Sequence, residues 1–313
     1  MAHAVQYVEF GGPEVLTLRE VTSPAPAAGE VTVRVAAAGV NPIDAKVLSG
    51  LRPTGPITAP RRIGSDGAGT VVAVGPDVEG VVLGQDVIVF GVTGTYASHV
   101  TVPVTAVQPR PVGVSAAAGA ALGIPAGTAY QTLRSLGVGA GDTVLVHGGS
   151  GAVGQAVVQF AVLWGAAVVA TASPRRHDRL SALGAIPVAY GDGLEQRVRA
   201  ATPQGVSAVV DIAGTDEAID VSLRLVADRH RIVTLVRGKD AAALGIRAFL
   251  GGAPDPLTPR QQQLRAEAMP VALALMAAGR FSVELGPDYP LAEAAAALTA
   301  LAAGVDGKIT LVP

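Results

Sequence analysis

The stretch Thr143–Gly154, TVLVHGGSGAVG, decides the fold of this chain. Its front half, with β-branched Thr143, Val144 and Val146, reads as a strand. Glycines then break the chain, and the periodic apolar run AVVQFAVLWG (156–165) follows as a helix. Within the break, Gly149, Gly151 and Gly154 give the G-x-G-x-x-G spacing. The first glycine permits a tight turn, the second a close backbone approach, and the third close packing of helix on strand. A helix N-terminus in that setting offers free N–H groups to a phosphate, so a dinucleotide pyrophosphate is expected there.

The next strand, AAVVATAS (166–173), ends about 20 residues after the last motif glycine, where an NAD-preferring fold places a carboxylate for the ribose 2′-hydroxyl. Here the position is Ser173, followed by Pro174, Arg175 and Arg176. With no carboxylate and two guanidiniums, a 2′-phosphate is accommodated, and NADP(H) is the expected cofactor. Ser173 and Pro174 also suit the cap and first position of a helix, and Arg175 equally suits a solvated face. Asp211, in SAVVDIAG, and Thr234, Leu235 and Val236, in HRIVTLV, end two further strands. The C-terminal ends of strands bind ligands in open α/β sheets, although core packing also accounts for the apolar residues.

Strands alternate with helical stretches from about Ala126 to Gly238: TVLVHG, AAVVATAS, AIPVAY, SAVVDIAG and HRIVTLV. That alternation implies an α/β, doubly wound parallel sheet. Before about Val112 the pattern is different, with the short runs EVTVRVAAAGV, GTVVAVG, QDVIVFG and YASHVTVP separated by Gly and Pro, and a compact β-rich unit is expected. After Gly238 the alternation fades into GGAPDPLTPRQQQLRAEAMP (251–270), read as a mobile connection and a helix start. Two helices (VALALMAAG and AEAAAALTALAAG) and a closing strand, KITLVP, then end the chain. A lone closing strand needs a partner sheet, and the N-terminal β unit supplies one.

With 313 residues, half of them hydrophobic, two well-packed domains are expected. Aromatic residues make up only 4% and the net charge is −2, which argues against nucleic acid as a partner. The absence of cysteine excludes disulfides, thiolate metal sites, a cysteine nucleophile and thiol redox chemistry. No apolar run approaches ~18 residues and no signal peptide is evident, so no membrane association and a cytoplasmic location are expected.

Several motifs in order, EFGGPEVL, AAAGVNPIDAKVLSG, IGSDGAGTVVAVG, TYASHVTVP, GTAYQTL, VLVHGGSGAVG and GKITLVP, resemble the zinc-independent quinone oxidoreductase branch of the medium-chain dehydrogenase/reductases along nearly the whole chain. The resemblance implies a GroES-like catalytic domain over 1–124, completed by 266–313, and a Rossmann domain over 125–265. It implies NADPH-dependent reduction of quinones or α,β-unsaturated carbonyls. It also implies places for individual residues: Asn41 near nicotinamide and substrate, Thr128 near the nicotinamide ribose or phosphates, and Ser150, Gly151, Ala152 and Val153 at the pyrophosphate. Arg176 falls at the 2′-phosphate with Tyr190 stacked beside it, and Lys308 near the cofactor. Each residue has a plainer role too, Asn41 in a turn, Tyr190 in strand-edge packing and Lys308 as a solvated cation. A homodimer is expected on the same ground.

Zinc-containing relatives carry a cysteine where this chain has Asn41, a histidine where it has Ser65, and a third ligand near Ile124. None of the three ligand types is present, and His3, His99, His147, His177 and His230 show no ligand spacing, so no metal is expected. Without a Lewis acid, hydride donation to an already electrophilic enone or quinone suits the site better than alcohol oxidation. Many relatives have a tyrosine shortly after NPIDAK, but VLSGLRPTGPITAPRR has none. Tyr96, Lys46, Asp44 and bulk water remain candidates for the proton source. Reduction of an enoyl thioester, and a non-catalytic NADPH-binding role, are the competing readings.

Overall fold

The computed structural model describes residues 2–52, 55–249 and 255–313. The chain divides into two compact units, one of Met1–Ile124 with Met269–Pro313, the other of Pro125–Ala268. The first opens with strands β1 (Ala2–Tyr7), β2 (Thr17–Val21) and β3 (Glu30–Gly39), helix α1 (Pro42–Leu48), and strands β4 (Arg61–Arg62), β5 (Asp66–Val74), β6 (Asp86–Val89), β7 (His99–Pro103) and β8 (Val107–Pro109). Helix α2 (Ala116–Ala120) follows, and α3 (Gly123–Leu136) carries the chain into the second unit.

There the alternation is β9 (Thr143–His147), α4 (Ala152–Leu163), β10 (Ala167–Thr171), α5 (His177–Ala182), β11 (Ile186–Val188), α6 (Leu194–Ala201), β12 (Ala208–Asp211), α7 (Asp216–Leu225), β13 (Ile232–Thr234), α8 (Gly238–Leu244) and β14 (Arg247–Ala248). Helix α9 (Pro259–Ala277) leads back, and β15 (Leu285–Pro290), α10 (Ala294–Ala303) and β16 (Lys308–Val312) complete the first unit.

The second unit is a six-stranded sheet in the order β11-β10-β9-β12-β13-β14 with every pairing parallel, which is the Rossmann order. Val144, Leu145, Val146, Val209, Val210, Ile232 and Val233 are all buried, as strands covered on both faces require. The strand order reverses between β9 and β12, where Asp211 pairs in register with His147. Tyr130 of α3 meets Phe160 of α4 and Trp164, the residue that caps the end of α4, with ring centroids 5.3–5.7 Å apart.

In the first unit, β3 is central to the larger sheet, pairing antiparallel with β5, β7 and β16. Val31, Val33 and Val35 of β3 pack in one core with Val71, Val87, Val100, Ile309 and Leu311. The closing strand thus pairs with the N-terminal β unit, Thr310 opposite Gly39 and Leu311 opposite Ala38.

The structure corrects the reading in three places. The alternation does not stop at Gly238, since α8 and the two-residue β14 add a sixth strand too short to show any period. The helix start after Pro259 and the run VALALMAAG form one helix, α9, which passes through Pro270 where a break was expected. PIDAKVL, not assigned to any element, is helix α1. Residues 250–254, at the front of the expected connection, lie outside the described residues, and no described helix is long and apolar enough to cross a membrane.

Candidate cofactor and active site

In the second unit the glycine loop is stitched to the neighbouring strand. Gly148 turns the chain with φ +77°, and its N–H donates to Thr171 Oγ1 at 3.1 Å, while the Gly149 N–H donates to the Thr171 carbonyl at 3.0 Å. The left-handed residue is therefore Gly148, one position before the expected tight-turn glycine. Gly149 serves instead for packing, because a Cβ there would lie 2.7 Å from Ala170 Cβ. At Gly154 a Cβ would meet the Gly148 carbonyl oxygen at 2.3 Å and Gly149 Cα at 2.7 Å. Gly151 differs from both, as a Cβ there would have only the Gly148 oxygen within reach, at 3.7 Å.

Gly151 caps α4, and the N–H groups of Ala152, Val153 and Gly154 have no acceptor among the described residues. Three free donors at the positive end of a twelve-residue helix, beside an exposed glycine, fit a dinucleotide pyrophosphate. At the end of β10, Ser173 caps a short 3-10 turn, Pro174–Arg176, without a side-chain hydrogen bond. Arg175 is exposed, whereas Arg176 is drawn in to 8% exposure. Tyr190 stands beyond β11 with its side chain in solvent.

The other strand ends are tied internally. Asp211 is fully buried; its Oδ1 accepts from the N–H groups of Ala213 and Gly214, and its Oδ2 from Thr234 Oγ1 at 2.8 Å. Burial holds its carboxyl above the ordinary value. Thr234 Oγ1 in turn accepts from the N–H groups of Val236 and Arg237, and Leu235 is buried while Val236 is partly exposed. The polar atoms of Asp211 and Thr234 thus hold the turns after β12 and β13. On α3, Thr128 Oγ1 receives Arg265, a residue the sequence reading did not single out, at 3.2 Å. His147, at the end of β9, is buried with Nε2 lacking a partner, and burial pulls it down to about 4.

The first unit gathers Asn41, Asp44, Tyr96 and Lys308 into one buried network. Asn41 caps α1: its N–H donates to Asp44 Oδ2 at 2.8 Å, completing a capping box. The same Asp44 oxygen accepts the Tyr96 hydroxyl at 2.8 Å. Asn41 Nδ2 donates to Asp66 Oδ2 at 3.0 Å and to the Gly39 carbonyl at 3.2 Å, which uses both amide hydrogens. Lys308 Nζ, delivered by β16, donates to Asn41 Oδ1 and, at 2.6 Å, to the Val40 carbonyl. Asp66, also missed by the sequence reading, accepts the Ile124 N–H at 2.8 Å as well. A carboxylate in the apolar, glycine-rich run IGSDGAG was the available signal.

Burial raises Asp44 to about 7 against the hydrogen bond from Tyr96, and it raises the Tyr96 hydroxyl well above its ordinary value. Lys308 is lowered by burial, opposed by Asp66 and Asp44. Lys46, on α1, makes no side-chain hydrogen bond to this network and is lowered by burial and by Arg52. The positions that resemble the zinc-ligand set hold an amide tied to Asp66, a serine and an isoleucine, donors that do not fit zinc. Among the described residues no group of three His, Cys, Asp or Glu could hold a metal ion.

Two family models match the chain, the alcohol dehydrogenase GroES-like domain over residues 27–112 and the zinc-binding dehydrogenase over 152–250. The human quinone oxidoreductase is 38% identical over 183 residues, 58% of this chain and 55% of that protein, so the chain spans about half the length of that curated relative. The quinone oxidoreductase of Lama guanicoe is 30% identical over 335 residues, covering 99% of this chain and 97% of that one. Among solved structures, the Escherichia coli quinone oxidoreductase complexed with NADPH superposes with a TM-score of 0.85 at 25% identity, covering 99% of this chain and all of that chain. On this end-to-end likeness in sequence and fold, the chain belongs to the quinone oxidoreductase branch of the medium-chain dehydrogenase/reductase superfamily.

Proposed function

We propose that this protein is an NADPH-dependent oxidoreductase that reduces quinones or α,β-unsaturated carbonyls without zinc. The observation that carries the reading is the cradle at the start of α4, where a Cβ on Gly151 would meet only the Gly148 oxygen, at 3.7 Å, and three backbone donors stand without acceptors among the described residues. Gly149 to Gly154 would hold the pyrophosphate, with Ser173, Arg175 and Arg176 at the 2′-phosphate and Tyr190 beside them. Thr128 would lie along the same nucleotide. Asp211 and Thr234 act by fixing the strand ends from which Leu235 and Val236 continue. Bound there, the dihydronicotinamide supplies a hydride.

Positions 41, 65 and 124 offer no metal a ligand set, which favours an acceptor that is electrophilic without Lewis-acid help. Both Asn41 amide hydrogens are already given to Gly39 and Asp66, so Asn41 can meet a ligand only through Oδ1, which Lys308 holds in place. Lys308 retains one ammonium hydrogen beyond its two bonds. Tyr96 and Asp44 are spent on each other and position Asn41, and Lys46 stands outside the network. We assign the proton that completes reduction to solvent water.

NADPH consumption with a panel of quinones, free enones and enoyl thioesters tests this reading, and turnover with the quinones or enones is expected. Tight NADPH binding without turnover of any acceptor would replace it with a non-catalytic NADPH-binding role. We also propose a homodimer, for which sedimentation gives the direct check.

A further inference from the structure

We propose that Arg179 and Gln155 are positioning residues that set the orientation of the pyrophosphate cradle, a role resting on the NADPH reading above. Arg179 lies on α5 and Gln155 on the first turn of α4. Arg179 Nε donates to Gln155 Oε1 at 2.8 Å, and Gln155 Nε2 donates to the Ser150 carbonyl, also at 2.8 Å. A guanidinium has only donors, so it fixes which end of the amide faces it. Gln155 must turn its oxygen to Arg179 and its NH2 to the glycine loop. Gln155 as a whole is 4% exposed, which shields it from the water that would compete for both bonds.

The pinned carbonyl matters because the peptide unit is planar and trans. With the Ser150 oxygen held toward Gln155, the Gly151 N–H must face the opposite way, where it lies 3.4 Å from the Gly148 carbonyl. Gly151 is the cap of α4, and its own carbonyl accepts the Gln155 N–H at 2.9 Å. The direction of the free N–H groups of Ala152, Val153 and Gly154 is therefore set from both sides by one glutamine, whose amide oxygen is held by Arg179. The pyrophosphate is common to both nicotinamide dinucleotides. A residue that orients its cradle therefore affects NADPH and NADH alike, unlike a residue that touches the 2′-phosphate.

The test is a double-mutant cycle on the full chain, reading dissociation constants for NADPH and NADH together with melting temperatures. Gln155→Leu and Arg179→Met are each expected to weaken both nucleotides by about three- to tenfold and by equal factors. The double variant should be within about twofold of the worse single one, since the two side chains act in series. Arg179→Lys, which keeps a donor-only cation, should recover most of the loss. Unchanged binding in both single variants, a loss confined to NADPH, additive losses, or a lowered melting temperature with unaltered binding would each overturn the inference. A wild-type protein that binds neither nucleotide would take down the cofactor reading and this inference with it. Wild-type binding with unaffected variants would remove the inference alone.

Discussion

Asp44→Asn should change how the stability of this protein depends on pH, in a direction opposite to that of an ordinary salt-bridged aspartate. Asp44 is 2% exposed and its carboxyl is raised from 3.8 to about 7, burial being the largest cause. Between about pH 4 and 7 the folded protein keeps a proton that the unfolded chain has released. The contribution of this group is therefore greatest below pH 4 and declines as pH climbs to 7. A rise of about three pH units corresponds to at most about 4 kcal/mol. An asparagine can keep the two bonds that Asp44 Oδ2 accepts, from the Asn41 N–H and the Tyr96 hydroxyl, and has no charge to bury. His147 slopes the other way, because burial lowers it from 6.5 to about 4 and its contribution falls as pH drops through that window. Subtracting the wild-type curve from the variant curve removes His147 and isolates Asp44. Thermal unfolding of both proteins from pH 4 to 8.5 should show the variant gaining on the wild type as pH rises, by up to about 10 °C. A difference that stays flat across this range, or grows toward acid, would show that burial does not raise the Asp44 carboxyl in the folded protein.

Three substitutions test the nucleotide site. Arg176→Ala should raise the NADPH dissociation constant by about ten- to a hundredfold and leave NADH nearly unchanged, as titration with each nucleotide would show; equal losses would remove the 2′-phosphate argument. Gly154→Ala places a Cβ 2.3 Å from the Gly148 carbonyl oxygen, so it should cost about 1–3 kcal/mol of stability in denaturant melts and impair NADPH binding. Gly151→Ala would place its Cβ at an ordinary contact distance, 3.7 Å, from the Gly148 oxygen, and should leave the melting temperature nearly unaltered while weakening both nucleotides in the same titrations.

The parts of this molecule that were legible in the sequence are the local ones. The glycine spacing lies within one strand, turn and helix, and the β-branched runs of β9, β10 and β12 mark a sheet buried on both faces. Even there the pattern misplaced the turn residue, because GG offers two glycines and only the backbone shows that Gly148 takes the left-handed conformation. β14 escaped because two residues carry no period, and α9 because proline is read as a stop. The network around Asn41 is another matter, since Lys308 joins Asn41 from 267 positions away and Asp66 from 25. Such long-range pairs leave no spacing to read. Asp66 was visible only as a charge in an apolar run, and the fixed use of both Asn41 amide hydrogens was not visible at all. Asp211 and Thr234 were found by their place at strand ends, but that each holds a turn follows only from their hydrogen bonds.

Zinc-free reduction is tested by following the hydride. Protein dialysed against a chelator is mixed without oxygen with NADPH deuterated at the transferring position and a simple enone. Expected are consumption of the nucleotide, deuterium at the β-carbon of the product, and a rate indifferent to chelator or added zinc. Absence of transfer to any enone or quinone, or activity that is lost to the chelator and restored by zinc, would contradict it.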